Sequence, residues 1–502
     1  MLKIFWKRTL ASPLDENSTH VAFRNLVNYA SMHGLWTAFN YLGLITGLSF
    51  SIWVLSRRRI TPGVTWAWIL GFFLLPFLAP FAYLLVGYSN FKRRKRARPE
   101  PQKKLSGSGF LMKSLQGDIS PRFSMVSRLV ENLTGFPPIA GNSIQFFEGQ
   151  ESIYQALTQS ISEAQKTIFM EYYIFKPDSI GEHFRDILIS KARQGVTIKL
   201  LLDHVGSFSL NEHFLAPMRA AGIEVSFFGP LTIKRPWGFQ LRNHRKLALI
   251  DHKQAFMGSQ NICSDYKQWR MRKLDWIDNQ ILIEGPSVKQ LESVFSEDWE
   301  FTTGQKVQLE ETDFDSALPG TSILQLLPTG PDEHKHAFEE LLMALIHSAQ
   351  DQITLLSPYF VPTEAIAISL ESAARRGVRV NILVPQKSDH WLVDMASKSW
   401  HWELLHSGVK ISESPESFIH AKQVTVDNAV SLIGSANMDE RSFRLNFECS
   451  AIIFDETIGK TLQKSFFHRY EKSQSLHINH FESEPFLLRV RNGLFKLLSP
   501  LL

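Results

Sequence analysis

The sequence predicts an α/β protein: two tandem repeats of one domain, packed on each other as a pseudo-dimer, behind an N-terminal two-helix transmembrane hairpin. Three observations carry that expectation. Two long uncharged runs lie near the front, at 36–55 and 64–87. Behind them helical and strand patterns alternate, which implies α/β layers with largely parallel sheets. Within that region one polar skeleton is written twice, as "HRKLALIDHKQAFMGSQN" from His244 to Asn261 and "HAKQVTVDNAVSLIGSAN" from His420 to Asn437. The two stretches share His, Lys, Asp, Gly, Ser and Asn at the same offsets, and their apolar positions match only in kind.

After an N-terminal segment at 1–35, each uncharged run is long enough to cross a hydrocarbon core of about 30 Å as a helix. Pro76 and Pro80 would break a soluble helix but are tolerated in membrane ones. Trp36, Trp53, Trp66, Trp68 and Tyr83 lie toward the ends of the runs, where aromatic belts form. A signal peptide has a shorter apolar core and does not come in pairs. The loop between the runs carries Arg57, Arg58 and Arg59. The heavier basic flank follows the second run, with Lys92, Arg93, Arg94, Lys95, Arg96 and Arg98, and the N-terminal segment adds Lys3, Lys7 and Arg8. By the positive-inside rule both termini and the large C-terminal part are expected on the cytoplasmic side of a bacterial inner membrane, in a multi-pass arrangement.

A chain of 502 residues has room for two or three domains with proper cores. Its two cysteines, Cys263 and Cys449, exclude a disulfide framework. A net charge of +5 suits nucleic acid or anionic lipid alike, but a basic cluster beside a membrane run attracts anionic headgroups. Residues 89–142 read as a basic linker rich in Pro, Gly and Ser. The first repeat, 143–305, holds the helical "SIYQALTQSISEAQ", the buried strand "TIFMEYYIF", a helix ending in "ARQGV" and the strand "TIKLLLD". The second, 306–480, repeats the order with "AFEELLMALIHSAQ", "ITLLSPYF", "ARRGV" and "VNILVP". Gly195 and Gly377 both stand where a helix stops before a strand.

Each eighteen-residue stretch reads as a β-hairpin. Residues two apart in a strand share a face, so His244 and Lys246 project together, and the returning strand brings Ser259 and Asn261 alongside. His420, Lys422, Ser435 and Asn437 repeat the set. Asp251 and Asp427 lie about 20 Å further along and belong at the hairpin turn, in structural hydrogen bonds or ion pairs. Lysine suits a phosphate oxygen and not a metal, while a histidine can attack phosphorus or donate a proton at neutral pH. Two half-sites in one cleft supply a neutral histidine, a protonated one, and a positive field for the equatorial oxygens of a phosphoryl group. Neither metal nor cofactor is expected. Each histidine also needs a carboxylate to fix its tautomer: Glu448 is the candidate in the second copy and Asp278 in the first, with Asp275 as a rival. Cys263, two residues beyond Asn261, is expected to be a small buried filler.

These residues resemble the phospholipase D superfamily, whose signature is His-x-Lys-x4-Asp followed by Gly-Ser-x-Asn. The membrane hairpin, "RNHRKLALID", "WIDNQILIEGP", "SPYFVP", "HAKQVTVD", "LIGSANMDERSFRLNFE" and the terminal "LLSPLL" resemble the bacterial cardiolipin synthases more closely, over about 36–502. "GSQN" and Met438-Asp439-Glu440 are minor departures. The resemblance implies two phospholipase D-like repeats and a catalytic set of His244, Lys246, Asp251, His420, Lys422 and Asp427. It implies phosphate-binding by Ser259, Asn261, Ser435 and Asn437, and transfer of a phosphatidyl group between two phosphatidylglycerols to give cardiolipin and glycerol. It also implies His244 as the nucleophile and His420 as acid and then base, although the repeats are chemically alike.

The partners expected are anionic membrane lipids and not nucleic acid, since a membrane hairpin makes a duplex awkward. A hydrolase of the same superfamily needs the same residues. An inactive scaffold would have lost a His or a Lys. The C-terminal segment, 481–502, places Leu487, Val490, Leu494, Leu497, Leu498 and Leu501 on one helical face, with Arg489, Arg491 and Lys496 off it. That is the pattern of an interfacial amphipathic helix. A helix packed on the core would look similar, and Gly493 weakens either version.

Overall fold

The computed structural model describes residues 16–56, 62–84, 119–229, 241–264, 275–309, 318–331, 334, 336–482 and 484–498. Contacts divide the chain into two units, Met1–Asn90 and Phe91–Leu502.

In the first unit one helix runs from Glu16 to Leu55, and its part His33–Leu55 is long and apolar enough to cross a membrane, with mean hydropathy 1.5. It is the one such helix among the described residues. The second apolar run departs from the expectation of a single span at 64–87. It forms the helix Pro62–Leu74, breaks, and resumes as Leu78–Ala82. Pro76 explains the break: it has no N–H for the helical ladder, and its ring crowds the carbonyl one turn back. The two runs pack closely, and a Cβ on Gly47 would lie 3.0 Å from the Phe72 carbonyl oxygen. The aromatics divide between two roles. Trp53 and Trp68 meet Tyr83 edge-on at 5.5 and 5.1 Å inside the unit, whereas Trp36 and Trp66 remain exposed. The arginine loop at 57–59 and the basic flank after the second run lie outside the described residues.

The second unit is organised by one 15-stranded mixed sheet. The parallel pattern expected from helix–strand alternation holds only for three strands in each repeat. Thr167–Tyr172, Thr197–Asp203 and Glu224–Phe228 run parallel, as do Gln352–Leu356, Arg379–Pro385 and Lys410–Ser414. The rest of that sheet is antiparallel, because the signature stretches are tight hairpins in which a three-residue connection reverses the chain. Lys246–Ile250 returns as Gln254–Gly258 through Asp251 and His252, with φ of 51° and 59°. Gln423–Val426 returns as Val430–Gly434 through Asp427 and Asn428, with φ of 51° and 55°. Positive φ at both central positions is the hairpin turn that matches strand twist, and Asp, Asn and His tolerate it better than bulky residues.

Apart from an extra edge strand in the second repeat, Gln474–Ser475, strand order is the same in both halves, read from each outer edge to the middle. The halves join where Ile139–Glu148, paired with Asn279–Glu284 of the first repeat, also pairs with Ser322–Thr329 of the second. One core cluster spans the join, with Phe169, Leu201 and Leu247 from the first repeat and Ile433, Phe447 and Ala451 from the second.

Residues 121–134 correct the linker expectation. Pro121–Thr134 is a helix whose Phe123, Val126 and Val130 are buried in the second repeat's core, against Leu341 and Val426 among others. Each such burial contributes about 1.5–3 kcal/mol, which a linker would forgo. The residues at 85–118 lie outside the described set.

Candidate active site

His244 and His420 stand just before the first strands of the two hairpins, and both are buried. The backbone around each is stitched to the other repeat. His244 N donates to Phe447 O at 2.9 Å, and Phe447 N donates to Arg242 O at 2.8 Å. In the matching place His420 N donates to Ile277 O at 2.8 Å, beside the short parallel pair of Asp275–Ile277 with Ser417–Ile419. This stitching fixes where the imidazoles point.

The carboxylates follow the stitching, and here the structure corrects the sequence reading. Glu448 is the acid beside His244, with both carboxylate oxygens 2.9 Å from Nδ1. Asp278 is the acid beside His420, with Oδ1 2.6 Å from Nδ1. Each histidine therefore takes its acid from the opposite repeat. The reason is the strand order, which brings Glu448 and Asp278 to the central strands at the seam. The rival Asp275 begins the strand Asp275–Ile277, and the Nδ1 positions of the two histidines are taken by Glu448 and Asp278.

Both acids are further held. Ser442 Oγ donates to Glu448 Oε1 at 3.0 Å and Asn446 Nδ2 at 3.2 Å. Ser259 Oγ donates to Asp278 Oδ1 at 2.5 Å, and Trp276 Nε1 donates to Oδ2 at 2.9 Å. Ser442, Asn446 and Trp276 were not singled out from the sequence. The available signal was the density of polar residues in "NMDERSFRLNFE" and the tryptophan two places before Asp278.

Burial disfavours charge on every base here. His244 is pushed down to about 4 by burial, against the pull of Glu448 and helped by Lys246 and Lys422. His420 is lowered by burial against the pull of Asp278, with Lys422 and Lys246 adding to the fall. Each lysine thus acts on both histidines, which puts the two half-sites within electrostatic reach of each other. Burial also lowers Lys422 to about 8 and drives Lys246 down. Burial alone would raise the two acids, but the histidine partners, the lysines and the hydroxyls of Ser259 and Ser435 together outweigh it and hold Asp278 and Glu448 below the usual carboxylate range. Both shifts favour the neutral imidazole, and each histidine meets its acid through Nδ1.

The remaining sequence candidates divide by contact. Lys246 Nζ donates to His244 O at 2.7 Å and lies 5.4 Å from the Tyr173 ring, whose edge meets His244. Lys422 Nζ donates to His420 O at 2.6 Å. Asn261 Oδ1 accepts from Ile174 N at 3.2 Å, and buried Asn437 Oδ1 has no hydrogen-bond partner among the described residues. The serines expected on phosphate instead hold the acid strands. Ser259 bonds Asp278 as above, and Ser435 Oγ accepts from Cys449 N at 3.0 Å. Gly258, just before Ser259, is required because any Cβ there would collide with the Asn279 carbonyl on the next strand. Gln260 donates to the Tyr154 hydroxyl at 2.7 Å, and Cys263 is buried.

Asp251 and Asp427 sit at the turns, away from the imidazoles. Asp251 accepts from the amides of Gln165, Lys166 and Thr167 at 2.7–2.9 Å. Asp427 accepts from those of Gln350, Asp351 and Gln352 at 2.5–2.9 Å and pairs with Arg122. They anchor the hairpin to the strand beside it, so the site reaches them only through the backbone.

Comparison with known proteins gives one direction. The family model described as cardiolipin synthase, phospholipase D-like domain, matches residues 157–299 and 342–470. Cardiolipin synthase 2 of Bacillus anthracis is 34% identical over 460 residues, covering 89% of this chain and 88% of that protein. The major cardiolipin synthase of Bacillus subtilis is 31% identical over 477 residues, covering 92% and 98%. Among solved structures, the phosphatidylserine synthase of Haemophilus influenzae superposes with a TM-score of 0.54 at 14% identity, covering 75% of this chain and all of that one, which speaks to the fold alone.

Proposed function

Because the chain belongs to the family of cardiolipin synthases with phospholipase D-like domains, we infer that its paired half-sites carry a phosphatidyl group from one phosphatidylglycerol to another, giving cardiolipin and glycerol. It is a phosphatidyltransferase, and the two repeats act as a pseudo-dimer around one cleft. The observation that carries the reading is the crossed pair of buried imidazole–carboxylate contacts, each with a lysine two residues along the strand.

The reaction runs in two displacements. Nε2 of His244 attacks the phosphorus of the donor lipid. His420 gives its proton to the departing glycerol oxygen, which leaves a phosphatidyl group bonded to His244. His420, now neutral, takes the proton from a hydroxyl of the second phosphatidylglycerol, and that oxygen displaces His244. Both histidines return to their starting forms. Lys246 and Lys422, poorly solvated when the site is empty, gain most from a bound phosphodiester, and so they bind substrate and stabilise the charge of the transition state. The same anion raises the pKa of His420 and readies it as the acid. Asn261 and Asn437 are assigned to the phosphate oxygens. Water would divert the intermediate to phosphatidic acid, so a lipid-rich, water-poor cleft is part of the mechanism.

The protein is a membrane enzyme with an N-terminal apolar helix. A second span through the broken run, with the catalytic unit on the cytoplasmic face, follows from the basic flanks in the sequence. The test uses the full chain reconstituted in liposomes with radiolabelled phosphatidylglycerol. Cardiolipin and glycerol are expected, falling at least about a thousandfold in His244→Ala and in His420→Ala. Phosphatidic acid without cardiolipin would show a hydrolase and overturn the reading.

A further inference from the structure

We propose that the helix Phe486–Leu498, seated on the helix Trp391–His406, forms a surface that docks the catalytic unit on an anionic lipid bilayer. One face of the C-terminal helix is fixed against the protein. Lys496 Nζ bonds both oxygens of Glu403 at 2.5–2.6 Å and stands 3.9 Å from the Trp400 ring, and Phe495 meets Trp391 edge-on at 5.8 Å. At 100° per residue, Leu487, Val490, Leu494 and Leu497 fall on the opposite face, and they are 77, 44, 59 and 74% exposed. Trp391, at the start of the supporting helix, is 65% exposed. The packed reading of this segment thus holds on one face, and the opposite face is apolar and exposed.

The chemistry of the rim selects the occupant. Arg489 and Arg491, both exposed, lie on either border of the apolar row. That arrangement sets leucines toward acyl chains and guanidiniums toward phosphates, with tryptophan at headgroup level. A second copy on the same face would bring arginines against arginines. The surface also begins beside the site. Trp391 lies two residues past Asp389, which accepts a hydrogen bond from Tyr359 Oη at 2.7 Å, and Asp389 is close enough to Lys422 of the site to support its charge. A bilayer held here would therefore border the cleft and supply lipid to it. The inference rests on the reading of membrane lipids as substrates.

The test needs no truncation. Because Cys263 and Cys449 are buried, Leu494→Cys in the full chain can carry an environment-sensitive fluorophore, with Lys460→Cys as an exposed control on another helix. After reconstitution in phosphatidylglycerol–phosphatidylcholine vesicles, doxyl-labelled lipids are expected to quench position 494 several-fold more than 460, and aqueous iodide to do the reverse. The double variant Leu487→Glu with Leu494→Glu is expected to raise the KM for surface phosphatidylglycerol about tenfold at unchanged kcat. Iodide quenching of 494 equal to that of 460 would overturn the proposal, since the face would then be bare. Protection of 494 from both quenchers would overturn it too, since protein would cover the face. Quenching reads bilayer contact whatever the chemistry, and cardiolipin formation in the same vesicles reads the chemistry whatever the helix touches.

Discussion

The carboxylate of Glu448 lies 2.9 Å from Nδ1 of His244, although the two residues are 204 apart in sequence and belong to opposite repeats. His420 and Asp278 complete the exchange from the other side. Neither repeat holds a finished histidine dyad, so the proposed mechanism requires both.

The crossing sets the signs of a pH experiment. In the proposed mechanism His244 must be neutral to attack, so the acid limb of kcat/KM tracks its pKa, about 4 in the resting protein. Glu448 raises that pKa, and Glu448→Gln is expected to move the acid limb to lower pH and cut kcat by about 10²–10⁴-fold. His420 must be protonated, and Asp278 supports its charge, so Asp278→Asn is expected to move the alkaline limb to lower pH. Profiles of the two variants decide. If Glu448→Gln shifts the alkaline limb instead, the roles of the histidines are reversed.

Much of this was legible in residue order. Alternation in "HRKLALID", followed by residues that accept positive φ, marks a hairpin, and its recurrence marks the duplication. The partner of each acid was not legible. Spacing along a chain reports local geometry, and Glu448 is near His420 in sequence yet crosses the seam in space. The helix Pro121–Thr134 was hidden for another reason: its Phe123, Val126 and Val130 have helical spacing, but flanking Pro, Gly and charge dominate the composition of the window. The break at Pro76 was visible as a residue, and only packing shows that it interrupts the helix.

The turn aspartates should separate stability from chemistry. Asp427 accepts three amides and Arg122, and these outweigh burial to hold its carboxyl below the ordinary value. A depressed folded pKa contributes stability that is present above the unfolded value near 4 and lost as pH falls through the folded one. Asp427→Ala is expected to cost about 2–4 kcal/mol at pH 7, with the gap to the parent closing in acid. Thermal unfolding against pH measures this. Activity per folded molecule should stay within about threefold, and a loss as deep as that of His244→Ala would mean that Asp427 acts in catalysis.

Arg245 ties the repeats together at the site. It pairs with Asp298, and its Nε donates to Glu448 O at 3.0 Å, both within buried surroundings. Asp298→Ala strands a guanidinium away from water, at a cost of about 3–5 kcal/mol. Asp298→Asn keeps the shape and should cost less. Chemical denaturation of the two variants gives the ranking, and equal losses would show that the charge of Asp298 matters little.

Trp276 offers the finest test of the His420 side. Its indole N–H donates to Asp278 Oδ2 at 2.9 Å, and its ring packs 5.1 Å from His420 and 4.3 Å from Phe418. Trp276→Phe keeps most of the packing and removes the donor. A carboxylate that loses a hydrogen bond becomes more basic and pulls harder on the proton of His420. The alkaline limb should then move to higher pH, opposite in sign to Asp278→Asn, with kcat down about tenfold and KM little changed. A purely structural role predicts a lower kcat with no movement of either limb. The direction of that one shift tells whether Trp276 tunes the acid or only packs beside it.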